Sequence, residues 1–220
     1  MSQNPHPALE PDAPATHASV YLVRPLASDA ERDEAAALVE DRRSWLTRRG
    51  LPLPARLDTP ALYRDAQSAA VGLFEDEDLL SCLILDPRPD LRRWGTNGAG
   101  PSLLLREVHT LPGRPDNAIR LLTLWAADYA ARLNLPCVRA EAPARYPLNV
   151  DPITRVLDRL RHMGWEIRGT GPGADGDQAA LLELRSQLHP RLTPLVGCMV
   201  PLALSGSSTD SPASKGATQR

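Results

Sequence analysis

The sequence predicts one α/β domain, a mixed and mostly antiparallel sheet flanked by about four helices. Three observations carry the prediction. Residues Leu103 to Leu133 read as a buried strand, a short loop and a long amphipathic helix. Residues Asp151 to Gly164 carry the start and stop signals of a complete helix. Strand-length apolar runs precede and follow both, several of them bounded by turn residues. With 220 residues, 42% hydrophobic and 24% charged, the chain has room for one substantial core. Residues 1 to 18 hold Pro5, Pro7, Pro11 and Pro14 among small and polar side chains, and 205 to 220 is a Ser, Gly, Thr and Pro tail. Both ends are expected to be disordered, which leaves a domain over 19 to 204.

Val20 to Arg24 alternates as a short strand that Pro25 closes. The helix that follows opens on a capping box, Ser28 with Glu31, and ends at Gly50. Its apolar stripe is Ala35, Leu38, Val39, Trp45 and Leu46. Arg42 falls inside that stripe, so either its stem covers apolar surface or its guanidinium faces a cleft. A shorter helix covers Pro60 to Gln67. Ala69 to Phe74 and Leu79 to Leu85 pair as a hairpin across the acidic turn Glu75, Asp76, Glu77 and Asp78. Pro87 to Pro101, rich in Pro, Gly and Arg, reads as an exposed loop whose Trp94 either packs back on the sheet or borders a binding site.

After the strand and helix of Leu103 to Leu133 comes a strand over Cys137 to Ala142. The next helix has Asp151 as cap, Pro152 in its first turn, and Ile153, Val156, Leu157, Leu160 and Met163 on one face, with Gly164 beyond its end. Trp165 to Arg168 and Ala179 to Leu184 form a last hairpin, and Leu195 to Leu204 can add one more strand.

Several functions are excluded or demoted. A net charge of -2 and the lack of a basic stripe give no reason to bind nucleic acid. There is no signal segment and no apolar run near the roughly 18 residues that cross a membrane, so a cytoplasmic location is expected. Cys82, Cys137 and Cys198 are widely spaced and odd in number, which suits reduced buried thiols and no metal. Gly171, Gly173 and Gly176 spell G-x-G-x-x-G, but a dinucleotide site needs a helix next and an acid about 20 residues on. Pro190, Pro194 and Pro201 follow instead, so these glycines read as a hairpin loop. No Walker, HExxH or G-x-S-x-G sequence is present.

The order of elements resembles the GCN5-related N-acetyltransferase (GNAT) superfamily over roughly residues 20 to 185. Val23, Arg24 and Pro25 followed by Asp29 resemble its opening strand and turn. Leu121, Leu122, Trp125, Ala126, Ala127 and Ala130 resemble the helix after its acyl-CoA pyrophosphate loop, and Val138 to Glu141 the next strand. Gly164 and Trp165 stand like the Gly-Phe pair that ends the following helix. The resemblance implies acetyl-CoA, or another acyl-CoA, as co-substrate and no metal. It further implies a small-molecule or peptide amine as acceptor, in a monomer or homodimer.

A strand that delivers a loop to a helix N-terminus builds an anion site from unpaired N–H groups and the helix dipole. The family's loop runs Arg or Gln, two residues, Gly, one residue, then Gly or Ala. With Arg114 in the first position, Asn117 and Ile119 stand where the small residues belong. Asn117 tolerates a left-handed backbone, whereas the β-branched Ile119 is expected to turn into the core. Asp116 either caps the helix or opposes phosphate, and Arg114 and Arg120 offset its charge. The cofactor set implied by the resemblance is Val108, Thr110, Arg114, Pro115, Asp116, Asn117, Ala118, Ile119, Arg120 and Asn149.

Acyl transfer to an ammonium needs a general base, and the oxyanion needs a donor, usually a backbone N–H of the central strand. Glu107 and His109 are the titratable groups there, and strand alternation puts both on one face with Arg106 and Val108 on the other. Either is a candidate base. The tyrosine that many relatives place four residues before the Gly-Phe pair is here Leu160, which leaves that role vacant, while Tyr146 and Asn149 are placed by the resemblance within reach of the thiol or the pantetheine arm. By position in the family fold, Arg42, Trp45 and Trp94 wall an acceptor cleft. The expectation is an N-acyltransferase; a GNAT-shaped binding module without turnover is the alternative.

Overall fold

The computed structural model describes residues 21–51, 58–113, 117–144 and 151–202. Both predicted tails lie outside the described residues, as do Arg114, Pro115, Asp116, Tyr146 and Asn149. The chain runs β1 (Tyr21–Pro25), α1 (Asp29–Arg48), α2 (Thr59–Arg64), β2 (Ala70–Glu75), β3 (Asp78–Asp86), a 3-10 segment (Arg92–Gly98) and β4 (Leu103–Thr110). It continues through α3 (Asn117–Arg132), β5 (Cys137–Pro143), α4 (Asp151–His162), β6 (Trp165–Pro172), β7 (Gln178–Arg185) and β8 (Val196–Cys198). All eight strands form one sheet in the order β6-β7-β5-β4-β3-β2-β1-β8. Its pairs are antiparallel except β4 with β5 and β1 with β8.

The two faces of the sheet bury different helices. Alternate β2 and β3 residues, Val71, Leu73, Leu83 and Leu85, join Leu103 and Leu105 of β4 beneath α3 and α4. Their neighbours Ala70, Phe74, Leu79, Cys82 and Ile84 face α1 and α2, where Ala35, Leu38, Val39 and Tyr63 complete a second core. The capping box that opens α1 is present: Ser28 Oγ accepts from Glu31 N at 3.2 Å and Glu31 Oε2 from Ser28 N at 3.1 Å. Buried Arg32 ties α1 to α2, its Nη1 donating to the carbonyl oxygens of Tyr63 at 3.2 Å and Asp65 at 2.8 Å.

Three expectations are corrected. The loop before β4 is not simply exposed: it winds into the 3-10 segment, and Trp94, 4% exposed, packs with Leu91, Leu104 and Leu181. On α4, Ile153 and Leu157 are buried but Val156 is 51% exposed, so the apolar stripe is narrower than the spacing suggests. Cys82 and Cys137 are buried as expected, whereas Cys198, on the edge strand β8, is exposed. The strand expected over Ala179 to Leu184 is present as β7, paired with β6, so no helix follows Gly176 as a dinucleotide site would need.

Candidate active site

β4 and β5 separate. Their parallel ladder covers only Leu103 with Val138, Leu104 with Arg139 and Leu105 with Ala140. Beyond those pairs β4 stays with β3 as far as Thr110, and β5 stays with β7 as far as Pro143. The divergence leaves a wedge of about 150 Å³ between Leu104 to His109 of β4, Glu141 and Pro143 of β5, and the β6–β7 turn at Gly173 to Asp177. Backbone groups on the facing edges of such a wedge have no ladder partner across it, so they are positioned to bind an extended amide-containing ligand.

A bulge shapes the β4 wall. Ile84 pairs with Arg106 and Cys82 with His109, so Glu107 and Val108 together oppose the single residue Leu83. Glu107 takes a φ of +50°. The alternation argument is therefore corrected: Glu107 and His109 do come together, Nε2 to Oε2 at 3.8 Å, but through an extra residue and not through a regular strand. Arg106, paired with Ile84, shares the α1 side of the sheet with them, while Val108 packs towards the α3 side.

Around this bulge the polar groups are largely sequestered. His109 is 6% exposed, its carbonyl accepts from Ser81 Oγ at 2.6 Å, and among the described residues its Nε2 has no hydrogen-bond partner. The Glu107 carboxylate accepts from Thr59 Oγ1 at 3.3 Å, and its carbonyl accepts from the Tyr63 phenol. Burial, followed by neighbouring Cys82 and Glu107, pushes the Tyr63 phenol well up, so it remains a donor. Burial likewise pushes the Cys82 thiol up to about 12. Thr59 and Tyr63 were not singled out in the sequence, although their spacing of four places them on one face of α2.

The β5 wall is fixed by Glu141. Its Oε1 accepts from Arg93 Nη2 at 2.6 Å, Arg93 Nε at 3.0 Å and Trp94 Nε1 at 2.8 Å, and its Oε2 from Ala174 N at 2.9 Å. One carboxylate thus joins the 3-10 segment, β5 and the β6–β7 turn. Beneath it, Arg139 is 5% exposed and donates to Gly98 O, Ala99 O and Ser102 Oγ while pairing with Glu183 at 3.0 Å.

The predicted site residues divide accordingly. Glu107, Val108 and His109 line the wedge, whereas Thr110, at the end of β4, pairs with Ser81 and does not. Asn117, exposed, begins α3; Ala118 is buried, Ile119 half-buried and Arg120 exposed. Trp94 is corrected as an acceptor wall, because its ring is buried and its N–H is committed to Glu141. Arg42 and Trp45 lie on α1 away from the wedge lining; the Arg42 guanidinium stacks on the Trp45 ring at 4.6 Å, with Arg49 also over that ring at 4.3 Å. Leu160, at the tyrosine position, packs against the α3 side core. Among the described residues no group of three or more His, Cys, Asp or Glu could hold a metal, and no helix is long and apolar enough to cross a membrane.

No protein-family model and no curated protein matches this chain. Solved structures do. An acetyltransferase of the GNAT family from Listeria monocytogenes 4b F2365 matches at 14% identity and a TM-score of 0.54, over 75% of this chain and 94% of that one. An N-acetyltransferase from Staphylococcus aureus Mu50 matches at 12% identity and a TM-score of 0.52, over 76% of this chain and 98% of that one. With its parted central strands and its mixed eight-stranded sheet, the chain has the GNAT acetyltransferase fold.

Proposed function

We propose that the chain is an N-acyltransferase that moves an acetyl or other short acyl group from acyl-CoA to the amine of a small molecule or peptide. The observation that carries this reading is the wedge between β4 and β5, with Glu107 and His109 on its β4 wall. The residues fit an extended acyl-CoA arm: β4 and β5 part beyond their three ladder pairs, and α3 follows β4 in the chain, so its first N–H groups are the candidate partners of the pyrophosphate. When bound, acyl-CoA supplies an activated thioester carbonyl.

Glu107 is the base in this scheme. Its carboxylate is held by Thr59 and is more exposed than the His109 ring, with side-chain exposures of 17% and 7%. It accepts the proton that an incoming ammonium must lose. His109 Nε2 lies 3.8 Å from that carboxylate. Arg114, Pro115, Asp116, Asn117, Ala118, Ile119 and Arg120 form the pyrophosphate end in this reading, with Val108 and Thr110 beside the arm and Tyr146 and Asn149 near the thiol. Arg42 and Trp45 border the acceptor entrance.

The test is a panel of primary amines, including polyamines, amino acids and peptides, incubated with acetyl-CoA and read by mass spectrometry of the acetylated product. Product formation that depends on Glu107 supports the reading. Acetyl-CoA binding without acetylation of any amine would favour a binding module.

A further inference from the structure

The bulge at Glu107 needs an explanation of its own. A left-handed backbone costs a residue with a side chain about 1–2 kcal/mol. One contact that offsets this cost comes from α2, 44 residues earlier in the chain, where the Tyr63 phenol donates to the Glu107 carbonyl. Thr59, one turn before Tyr63, holds the carboxylate of the same residue at 3.3 Å. Tyr63 is 0% exposed, and Arg32 fixes its backbone through the 3.2 Å bond to its carbonyl. The ring also meets His109 edge-on at 6.3 Å between centroids.

The geometry of one peptide unit gives this contact a consequence. In a trans peptide the C=O and the following N–H point in opposite directions. No cis peptide interrupts the described chain, so a Glu107 carbonyl drawn towards α2 turns the Val108 N–H away from α2. Val108 lines the wedge and its side chain packs towards the α3 side.

We propose that Tyr63 is a positioning residue: by holding the Glu107 carbonyl it aims the Val108 N–H into the wedge, where that N–H donates to the carbonyl oxygen of a bound acyl thioester. The proposal rests on the acyltransferase reading. Tyr63 itself touches neither thioester nor amine; it acts through one peptide plane.

Coenzyme A without an acyl group lacks the carbonyl oxygen, so comparing the two ligands isolates the contact. Calorimetry on the wild type should show acetyl-CoA bound about fivefold more tightly than CoA, the worth of one neutral hydrogen bond. In Tyr63→Phe that preference should vanish while CoA affinity stays unchanged; a purely structural role would weaken both ligands or neither. Equal wild-type affinities, or a preference that survives in Tyr63→Phe, would overturn the proposal and leave the acyltransferase reading standing. A wild type that binds neither ligand would remove both. If Tyr63→Phe fails to fold, infrared difference spectra of carbonyl-labelled acetyl-CoA on the wild type still decide. The thioester stretch should move to lower frequency on binding, and an unshifted band would overturn the assignment.

Discussion

Glu141→Ala should destabilise the domain by about 2–4 kcal/mol, because one carboxylate on β5 satisfies donors of three residues in two other segments. The largest contribution is the Trp94 indole N–H: in a residue only 4% exposed it would lose its 2.8 Å acceptor, at a cost of about 1–3 kcal/mol. The ion pair with Arg93 adds less. Side-chain exposures of 25% and 18% let water replace part of it, so about 1 kcal/mol is appropriate. The exposed Ala174 N–H can turn to water at little cost, but the β6–β7 turn then loses its tether to β5. For a chain of 220 residues such a loss lowers Tm by roughly 5–15 °C. Urea unfolding followed by tryptophan fluorescence measures it, and a double-mutant cycle with Trp94→Phe should show a coupling of at least about 1 kcal/mol. A shift below about 0.5 kcal/mol, or strict additivity, would refute the argument that Glu141 fixes the wedge wall.

Three further outcomes are expected. Glu107→Gln should keep the Thr59 contact, leave CoA affinity unchanged and lower turnover by about 10²–10⁴, the usual worth of a general base; an unchanged rate would eliminate the assignment. Near pH 8 an alkylating reagent should modify exposed Cys198 first and spare Cys82, whose burial keeps it a neutral thiol because its pKa of about 12 lies far above that pH; equal rates at the two would contradict the burial. Ser28→Ala removes the side-chain acceptor of the α1 cap and should cost about 1 kcal/mol in denaturant unfolding, while Ser28→Gly costs only a few tenths.

The order of strands and helices was legible because it rests on local signals: the capping box at Ser28, the continuous apolar runs of β2 and β3 on either side of an acidic turn, and Gly164 at the end of α4, where φ is +95°. The bulge was not legible. Neither Arg106, Glu107 nor Val108 advertises a positive φ as a glycine would, and the tyrosine that sustains it sits in another helix. The sequence leaves two readings of Trp94 for a similar reason. Its loop is rich in turn residues, but the acceptor that draws the indole inward is Glu141, 47 residues further on. Glu107 and His109 were found by the right residues and the wrong geometry, since strict alternation would have placed them together without any bulge. On α1 the Arg42 guanidinium stacks on the Trp45 ring, a pairing that helical spacing alone does not reveal.

The most direct measurement is a titration of acetyl-CoA into the wild type and Arg114→Glu, by calorimetry and thermal shift. The account predicts a wild type stabilised by about 2.7 kcal/mol when ligand reaches a hundredfold excess over Kd, and a variant that has lost the response because a carboxylate now opposes the pyrophosphate. A wild type whose Tm and heat remain unchanged at millimolar acetyl-CoA would contradict it.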